Sequence, residues 1–574
     1  MSYILGLCTM GSSSAALFKN GTLVAAIEEE RLSRKKNDGS FPHKSIDEVL
    51  SIAGITLAEV DCIAVYWQPW RVWSRGWGVL VKLLHSQLSR RSVLSRLKEL
   101  FKSGSSISEG SWLELFKIRR ILTSKHGPTK APIKFYDHHL THQVYGEAMR
   151  DWDEFICLSY DGGGESHSTV LSVVNNHSRE IISRHRWPNS LGHFYSTFTG
   201  YLGFKMLEGE YKMMGLAPYG EPVWTDIILK NILQLEEGGR YRLNTKVCDY
   251  HAALKNQFPD EMQALFGPPR LPSDEFTEKH VQLASSVQAA FEKALAHVLQ
   301  PAVTRYPKVR RLVVSGGCAL NVTANGQLLK KGSFDEVIIP PAPHDAGCAI
   351  GAAICAATNK IDLESIRNPY QGRVFSSDDI QQAFQTILGF LPSRYEESQL
   401  IEKSAHYLAD GKVVAWFQGR AEFGPRALGA RSFLADPRND KIREDINAKI
   451  KKRELFRPFA PSVTEEAAQK IFELNQTSPY MNIVANVLSD IIPAVTHVDS
   501  TARVHTVSKK SNRRYHALLT RFGEITGVPV LLNTSFNIQE PIVYSPSDAI
   551  RTFASSGVDV LVIEDFIVER SELR

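Results

Sequence analysis

The chain has 574 residues, 43% hydrophobic and 22% charged, which fits an ordinary globular protein of about two to four domains and excludes a disordered or low-complexity one. Its net charge of +5, from 67 basic and 62 acidic residues, is too slight to call for a nucleic-acid partner and suits an anionic co-substrate. Seven cysteines without a CxxC pair argue against a disulfide framework or zinc knuckle and for reduced thiols in a cytoplasmic compartment, and no run reaches the roughly 18 apolar residues of a membrane span.

The opening MSYILGLCTMGSSS has no basic leader and reads as a first strand over 3–9 rather than a signal peptide. A Gly/Ser loop over 11–14 follows, then two strands joined at Asn20-Gly21, a strong hairpin signal because both residues tolerate positive φ. Residues 66–132 differ in character: Trp67, Trp70, Trp73 and Trp77 precede a basic amphipathic run over 78–103. An inserted helical layer over buried tryptophans is expected there, with a substrate-facing cap second and a membrane-surface helix third.

In FYDHHLTHQVYGEAM, His138 and His142 stand four residues apart. On a helix they project from one face, so both imidazoles can reach one ion, with His139 a substitute or an outer partner. The strand–loop–hairpin pattern then returns, as a strand over 154–160, the loop Asp161-Gly162-Gly163-Gly164, and strands meeting at Asn175-Asn176. The repetition suggests a duplicated α/β core of the actin-like, sugar-kinase kind. A buried strand over 311–315 runs into Gly316-Gly317 and a helix start, where backbone N–H groups can approach an anion. Asp345 ends the strand–loop IIPPAPHD, while His344 reads as a loop residue. Two imidazoles with Asp161 and Asp345 and open positions suit Fe(II) better than Zn(II) or Mn(II).

Past residue 359 a second α/β unit begins, with a strand over 412–417. Arg420, Arg426, Arg431, Lys451, Arg453, Arg457 and Arg503 sit among glycines and prolines, followed by the loop LNTSFN over 532–537. Arginines held on defined turns offer paired donors to phosphate, and the aromatic platforms of RNA recognition are not evident.

The segments EEERLSRKK, DHHLTH, YDGGGE, EGEYKMMGLAPYG, SGGCALN, PPAPHDAG, QGRAEFGPRALGARS, KKRELFRPFAPS, LNTSFN and EPIVYSPSDA occur in this order along the chain. In them the sequence resembles the NodU/CmcH/TobZ carbamoyltransferases. The resemblance implies an N-terminal actin-like (ASKHA, Kae-like) domain over 1–366 and a C-terminal YrdC-like α/β domain over 367–574. It implies ATP and carbamoyl phosphate as co-substrates, Mg2+ with the ATP, a carbamoyl adenylate intermediate, and an iron-assisted transfer to the hydroxyl of a small-molecule natural product. No nucleic-acid or membrane partner is implied, and a homodimer is compatible with it.

Residue by residue, the resemblance assigns the metal to His138, His142, Asp161 and Asp345. Carbamoyl phosphate and nucleotide contacts fall to Arg426, Lys451, Arg457, Arg503 and Ser535, with Arg431 and Asn533 nearby. The adenylate in the first domain lies against Gly163, Gly316, Gly317 and Asn321. Lys451, Arg426 and Arg457 would offset charge in catalysis. Where relatives carry a His-Asp pair in the first loop, this chain has Gly11-Ser12, so the general base falls to His139, His193 or Ser12 through water. The alternatives are a fused tRNA threonylcarbamoyl-transfer enzyme and a sugar-kinase-like ATPase.

Overall fold

The structure, a computed structural model, describes residues 2–71, 112–176, 178–330 and 332–573. Trp73, Trp77 and the basic run over 78–103 lie outside the described residues. The chain forms two compact units, one of Met1–Glu29 with Asn37–Arg367 and the other of Glu30–Lys36 with Asn368–Arg574. A single cut at 366/367 therefore misses that a short N-terminal segment packs into the second unit.

The first unit contains the same five-stranded arrangement twice. β1 (Tyr3–Cys8), β2 (Ser14–Lys19), β3 (Thr22–Glu28), β4 (Cys62–Val65) and β5 (Ile133–Phe135) form a sheet of order β3-β2-β1-β4-β5. The first three strands pair antiparallel, and β4 and β5 add in parallel. β6 (Glu154–Tyr160), β7 (His167–Asn175) and β8 (Ser178–Arg186) are followed by a separate hairpin, β9 (Leu233–Glu236) with β10 (Arg240–Leu243), and then by β11 (Arg311–Ser315) and β12 (Glu336–Ile338). The second sheet runs β12-β11-β6-β7-β8, with the same antiparallel and parallel pairs. This is the expected duplicated, actin-like strand order.

Local chemistry explains the match. β1 is buried along its whole length and reads as continuous apolar sequence, as a strand covered on both faces must. β8, SREIISRHR, is the half-exposed edge and carries the charges. Asn20 and Gly21 take φ of 51° and 90°, the left-handed pair that a two-residue hairpin needs.

Each half ends in a helix after its last parallel strand, His138–Glu147 in the first and Cys348–Ala356 in the second. The two helices pack backbone to backbone. A Cβ on Gly351 would lie 2.0 Å from the Thr141 carbonyl oxygen, so only glycine fits there. That approach brings the His138–His142 face to the start of the second helix.

Of the expected tryptophan layer, Trp67 is buried with its ring 4.9 Å from that of His138, whereas Trp70 is 53% exposed and edge-on to Phe135. No described helix is long and apolar enough to cross a membrane.

The second unit holds one nine-stranded mixed sheet. Its strands are β13 (Ser393–Arg394), β14 (Val414–Phe417), β15 (Arg431–Ala435), β16 (Ala460–Thr464), β17 (Ile483–Asn486), β18 (Thr501–Val507), β19 (Val530–Ser535), β20 (Val560–Ile563) and β21 (Phe566–Glu569), in the order β13-β21-β20-β14-β15-β19-β16-β18-β17. Trp416, Leu434, Leu531 and Val562 from the sheet pack with Leu400 and Leu408 of the Glu397–Ala409 helix and Tyr515, Leu518 and Phe522 of the Arg513–Thr526 helix. The segment 30–36 is tied to this unit through backbone carbonyls: Arg31 donates to Gly424 O (2.6 Å), and Arg34 to Ile542 O (2.7 Å) and Pro541 O (2.6 Å).

Candidate metal centre and anion site

Asp137 starts the first histidine helix, its side chain accepting from Leu140 N at 3.1 Å while Arg71 holds its other oxygen at 2.8 Å. Glu165, buried behind, accepts from the His138 and Gln68 backbone N–H groups. With the helix start fixed, His138 and His142 face inward and are fully buried.

His138 Nε2 lies 3.1 Å from Asp161 Oδ2 and 3.8 Å from Asp345 Oδ1; His142 Nε2 lies 3.4 Å and 3.7 Å from the same two atoms. One ligand atom from each of the four residues falls within 4.8 Å of the others. Metal–ligand bonds of about 2.0–2.2 Å place neighbouring donors about 3–4 Å apart, so the spacing fits a single ion. His142 is the sharper test, because neither ring nitrogen makes a directed hydrogen bond although the ring is buried. A buried imidazole without a directed hydrogen bond, set between two carboxylates, is a donor set that suits a cation.

The charges point the same way. Burial and His142 both disfavour a proton on His138, yet Asp161 and Cys348 outweigh them and raise its pKa to about 10. Burial would push the Asp161 carboxyl up, but the two histidines bring it well below the ordinary range.

The loops leave room by glycine. Gly11, at φ +73°, would place a Cβ 2.3 Å from Asp345 Oδ2, and a Cβ on Gly317 would stand 2.8 Å from Asp161 Oδ1. At Gly316 (φ +95°) a Cβ would meet the Tyr160 carbonyl oxygen at 2.2 Å. Gly316 and Gly317 thus bring the β11 loop against the Asp161 loop that also holds Gly163.

Three expectations need correction. His139 Nδ1 meets Ser159 Oγ at 2.9 Å and Nε2 meets the His167 carbonyl at 3.0 Å. The ring must donate from Nε2 and accept at Nδ1, and burial with its histidine neighbours lowers its pKa to about 3. It is a neutral brace between helix and sheet, neither general base nor ligand, which leaves His193 and Ser12. His193 stacks on Tyr250 at 3.7 Å and borders Gly162. Asn321 exchanges two hydrogen bonds with Gln288, 3.0 Å each, and caps Ala324 N, so its amide shapes the turn rather than waiting for an adenylate. Arg431 is fully buried over the Phe417 ring and donates to the carbonyls of Gln418, Ala430 and Gly419, so no fork remains for phosphate.

The other basic residues of the second unit do gather. Arg503 lies on β18, Arg426 in the loop between β14 and β15, and Arg453 and Arg457 follow the turn after Ile446–Ile450. Burial pushes the Arg503 guanidinium well below the usual arginine range, and Arg426, Arg453 and Arg457 push it further; every charged group acting on it is a cation. Its Nε is buried without a hydrogen-bond partner. Lys451 is also buried, donating to the Ser535 carbonyl, to Ser535 Oγ at 3.3 Å, and to Asn537 O and Oδ1 at 2.8 Å. Burial, Arg453 and Arg457 depress its pKa well below that of an ordinary lysine. Cations gathered this closely are an arrangement that suits an anion.

Asn533 acts one step back. Its Nδ2 donates to Ala427 O (3.1 Å), next to Arg426, and to Ser462 Oγ (2.9 Å), which in turn meets His505 Nδ1 at 2.8 Å. Burial lowers the His505 pKa to about 3. The unfolded chain, titrating near 6.5, binds a proton that the folded imidazole refuses. The stabilisation from a neutral His505 is therefore complete above about pH 6.5 and drains as pH falls towards 3, by about 1.4 kcal/mol per pH unit. Urea unfolding near pH 7.5 and pH 5 is expected to show this loss in the parent protein and a shallower one in His505→Gln; equal slopes would remove His505 as the cause.

Arg453, grouped with these basic residues in the sequence, precedes Arg457 by four residues in KKRELFR. One residue escaped the sequence reading as a site member. Cys348 follows Asp345 by three, at the first turn of its helix, and forms a second close group with His138 and His142.

Comparison with known proteins places the chain in a family. The family description Carbamoyltransferase N-terminus matches residues 3–354, and Carbamoyltransferase C-terminus matches residues 405–570. The chain belongs to the carbamoyltransferase family. Its class of chemistry is carbamoyl transfer. This carbamoyltransferase is 39% identical to the Uncharacterized protein sll1178 of Synechocystis sp., over 100% of this chain and 97% of that one. It is 36% identical to the Nodulation protein NolNO of Sinorhizobium fredii, over 98% of this chain and 79% of the relative. Among solved structures, T. kodakarensis HypF shares 14% identity over 62% of this chain and 47% of its own, at a TM-score of 0.29. At that level of overlap, the fold rests on the strand order described above.

Proposed function

We propose that this carbamoyltransferase is ATP-dependent, makes carbamoyl adenylate, and delivers the carbamoyl group to a hydroxyl of a small-molecule natural product. The observation that carries the reading is Arg503, a half-buried guanidinium on β18 whose charged neighbours are Arg426, Arg453 and Arg457. Four guanidinium groups and Lys451 make a site for a polyanion, and carbamoyl phosphate with ATP supplies one.

In balanced form, carbamoyl phosphate and water give carbamate and phosphate. A carbamate oxygen then attacks the α-phosphorus of ATP, forming the C–O–P anhydride and expelling pyrophosphate with its Mg2+. The arginines hold phosphate oxygens in paired hydrogen bonds and offset the charge that grows on them. Lys451, whose donors go to Ser535 and Asn537, fixes the end of β19 and the turn after it beside these arginines.

The acceptor hydroxyl attacks the carbamoyl carbon, AMP departs, and the hydroxyl proton leaves to His193 or, through water, past Ser12. His138, His142, Asp161 and Asp345 would hold a divalent ion, with Fe(II) favoured by the two imidazoles and two carboxylates. When bound, that ion supplies Lewis-acid polarisation of the carbamoyl oxygen. The seven free cysteines suit a reducing, cytoplasmic setting.

Mass spectrometry of the protein incubated with ATP and carbamoyl phosphate, without acceptor, tests the reading. Carbamoyl adenylate and pyrophosphate are the expected products. Their absence after anaerobic restoration of Fe(II), with modification of tRNA supplied with threonine and bicarbonate, would replace this reading with the threonylcarbamoyl one.

A further inference from the structure

The two buried imidazoles serve two donor sets. In one they converge with Asp161 and Asp345; in the other they converge with Cys348, whose Sγ lies within 4.8 Å of a ring nitrogen from each. The two groups are distinct, and no single group contains both the thiol and the carboxylates. Their surroundings differ. Asp161 and Asp345 retain 14% and 25% exposure of their side chains, whereas His138, His142 and Cys348 have none.

We infer that Cys348 is a second-choice metal ligand, which together with His138 and His142 binds thiophilic ions on the closed side of the centre. This rests on the reading of the histidine pair as a metal site. A thiol in a fully buried apolar helix is ordinarily inert, but here both ring nitrogens of His142 and Nδ1 of His138 are buried without a directed hydrogen bond. Two imidazoles and a thiolate are the donors that Zn(II), Cd(II) and Co(II) prefer, while two imidazoles and two carboxylates suit harder Fe(II) and Mn(II). Binding at the soft set releases the thiol proton to solvent and creates a bond from sulfur to metal. It also draws the ion away from Asp345 and the Gly11 loop, the more exposed side of the centre.

The centre thereby sorts ions by position. A hard ion sits between the carboxylates with open sites towards the loops; a soft ion sits deeper. Nothing else in the sequence distinguishes Cys348 from the other buried cysteines. Its place, one helical turn after Asp345 at the closest approach of the two helices, does.

Cobalt and cadmium titrations of the metal-free full-length protein, compared with Cys348→Ser, test the inference without an activity assay. The parent protein is expected to show visible cobalt d–d bands together with a near-ultraviolet thiolate-to-metal charge-transfer band. Cys348→Ser should keep the d–d bands and lose the charge-transfer band. Its cadmium affinity should fall by about tenfold or more, since losing a direct donor costs at least as much as losing an outer partner, while manganese affinity changes less than about twofold.

Cobalt binding without a thiolate band in the parent would overturn the role of Cys348 and leave the histidine–aspartate centre standing. No binding of cobalt, cadmium or manganese would overturn both. Cys348→Ala serves as a second variant, and a native circular dichroism spectrum and melting curve for either variant separate loss of the ligand from loss of the fold.

Discussion

Replacing Arg503 with methionine is expected to raise the stability of the ligand-free protein while lowering carbamoyl adenylate formation by about 100-fold or more. Most substitutions of a buried residue destabilise. Arg503 should differ, because it is half-buried on β18, its buried Nε has no partner, and the charged groups that act on it are Arg426, Arg453 and Arg457. Methionine keeps much of the stem's volume and removes both the desolvation cost and the repulsion. Exchanging buried charge for apolar bulk has gained about 1–4 kcal/mol in other proteins, and the lower end is expected here.

The same change removes a preorganised donor to phosphate oxygens, a loss of about 10²–10³ in rate where such donors act in catalysis. Thermal melting supplies a second readout. Phosphate or pyrophosphate should raise the melting temperature of the parent protein and leave that of Arg503→Met nearly unchanged. Arg551→Met, on the exposed surface of the same unit, should do neither. A destabilised Arg503→Met that still forms carbamoyl adenylate at the parent rate would make the arginine cluster structural.

The Gly11→Ala variant should separate the two chemistries of the chain. Gly11 stands at φ +73°, where a side chain adds about 1 kcal/mol of strain, and its Cβ would fall 2.3 Å from Asp345 Oδ2. The carboxylate has to turn away from the histidines, so the ratio of bound metal to protein should drop and metal affinity should weaken by about tenfold or more. Asp345→Asn should give the same metal result without backbone strain. Carbamoyl adenylate formation, assigned to the arginine cluster, should stay within about twofold of the parent in both. A Gly11→Ala protein with full metal content would mean that the loop relaxes around Asp345, and an equal fall in adenylate formation would mean that the centre takes part in donor activation.

Much of this was legible in the sequence because the deciding rules are local. A four-residue interval on a helix puts His138 and His142 on one face whatever surrounds them, and Asn20-Gly21 specifies a hairpin from two residues alone. Asp161 and Asp345 stand where strands run into glycine-bearing loops, and duplication of the strand order brings such loop ends together. What escaped depends on direction. His139 is one residue from a ligand, yet its ring turns about 100° around the helix axis to brace Ser159 and the His167 carbonyl. Arg426 and Arg431 share one motif, but Arg431 lies on β15 and points into the core. Asn321 follows a short turn and Asn533 lies on β19, where LNTSFN reads as a loop; each amide bonds to neighbouring protein groups. Cys348 looked like any buried thiol until two helices were seen to meet beside it.

The seven residues from Glu30 to Lys36 bear on how the gene can be cut. They follow β3 of the first unit but complete the second, where Arg31 and Arg34 satisfy the carbonyls of Gly424, Pro541 and Ile542. A fragment beginning at Asn368 contains all nine strands of the second sheet and still leaves those acceptors open. A nascent chain, for the same reason, must keep a stretch made at the start of translation available until the last strands emerge from the ribosome. Splitting the reading frame at the apparent boundary, or swapping the C-terminal half between relatives, therefore divides a folding unit. A peptide spanning residues 30–36, supplied in trans or grafted onto the fragment, is the piece that such a design has to restore.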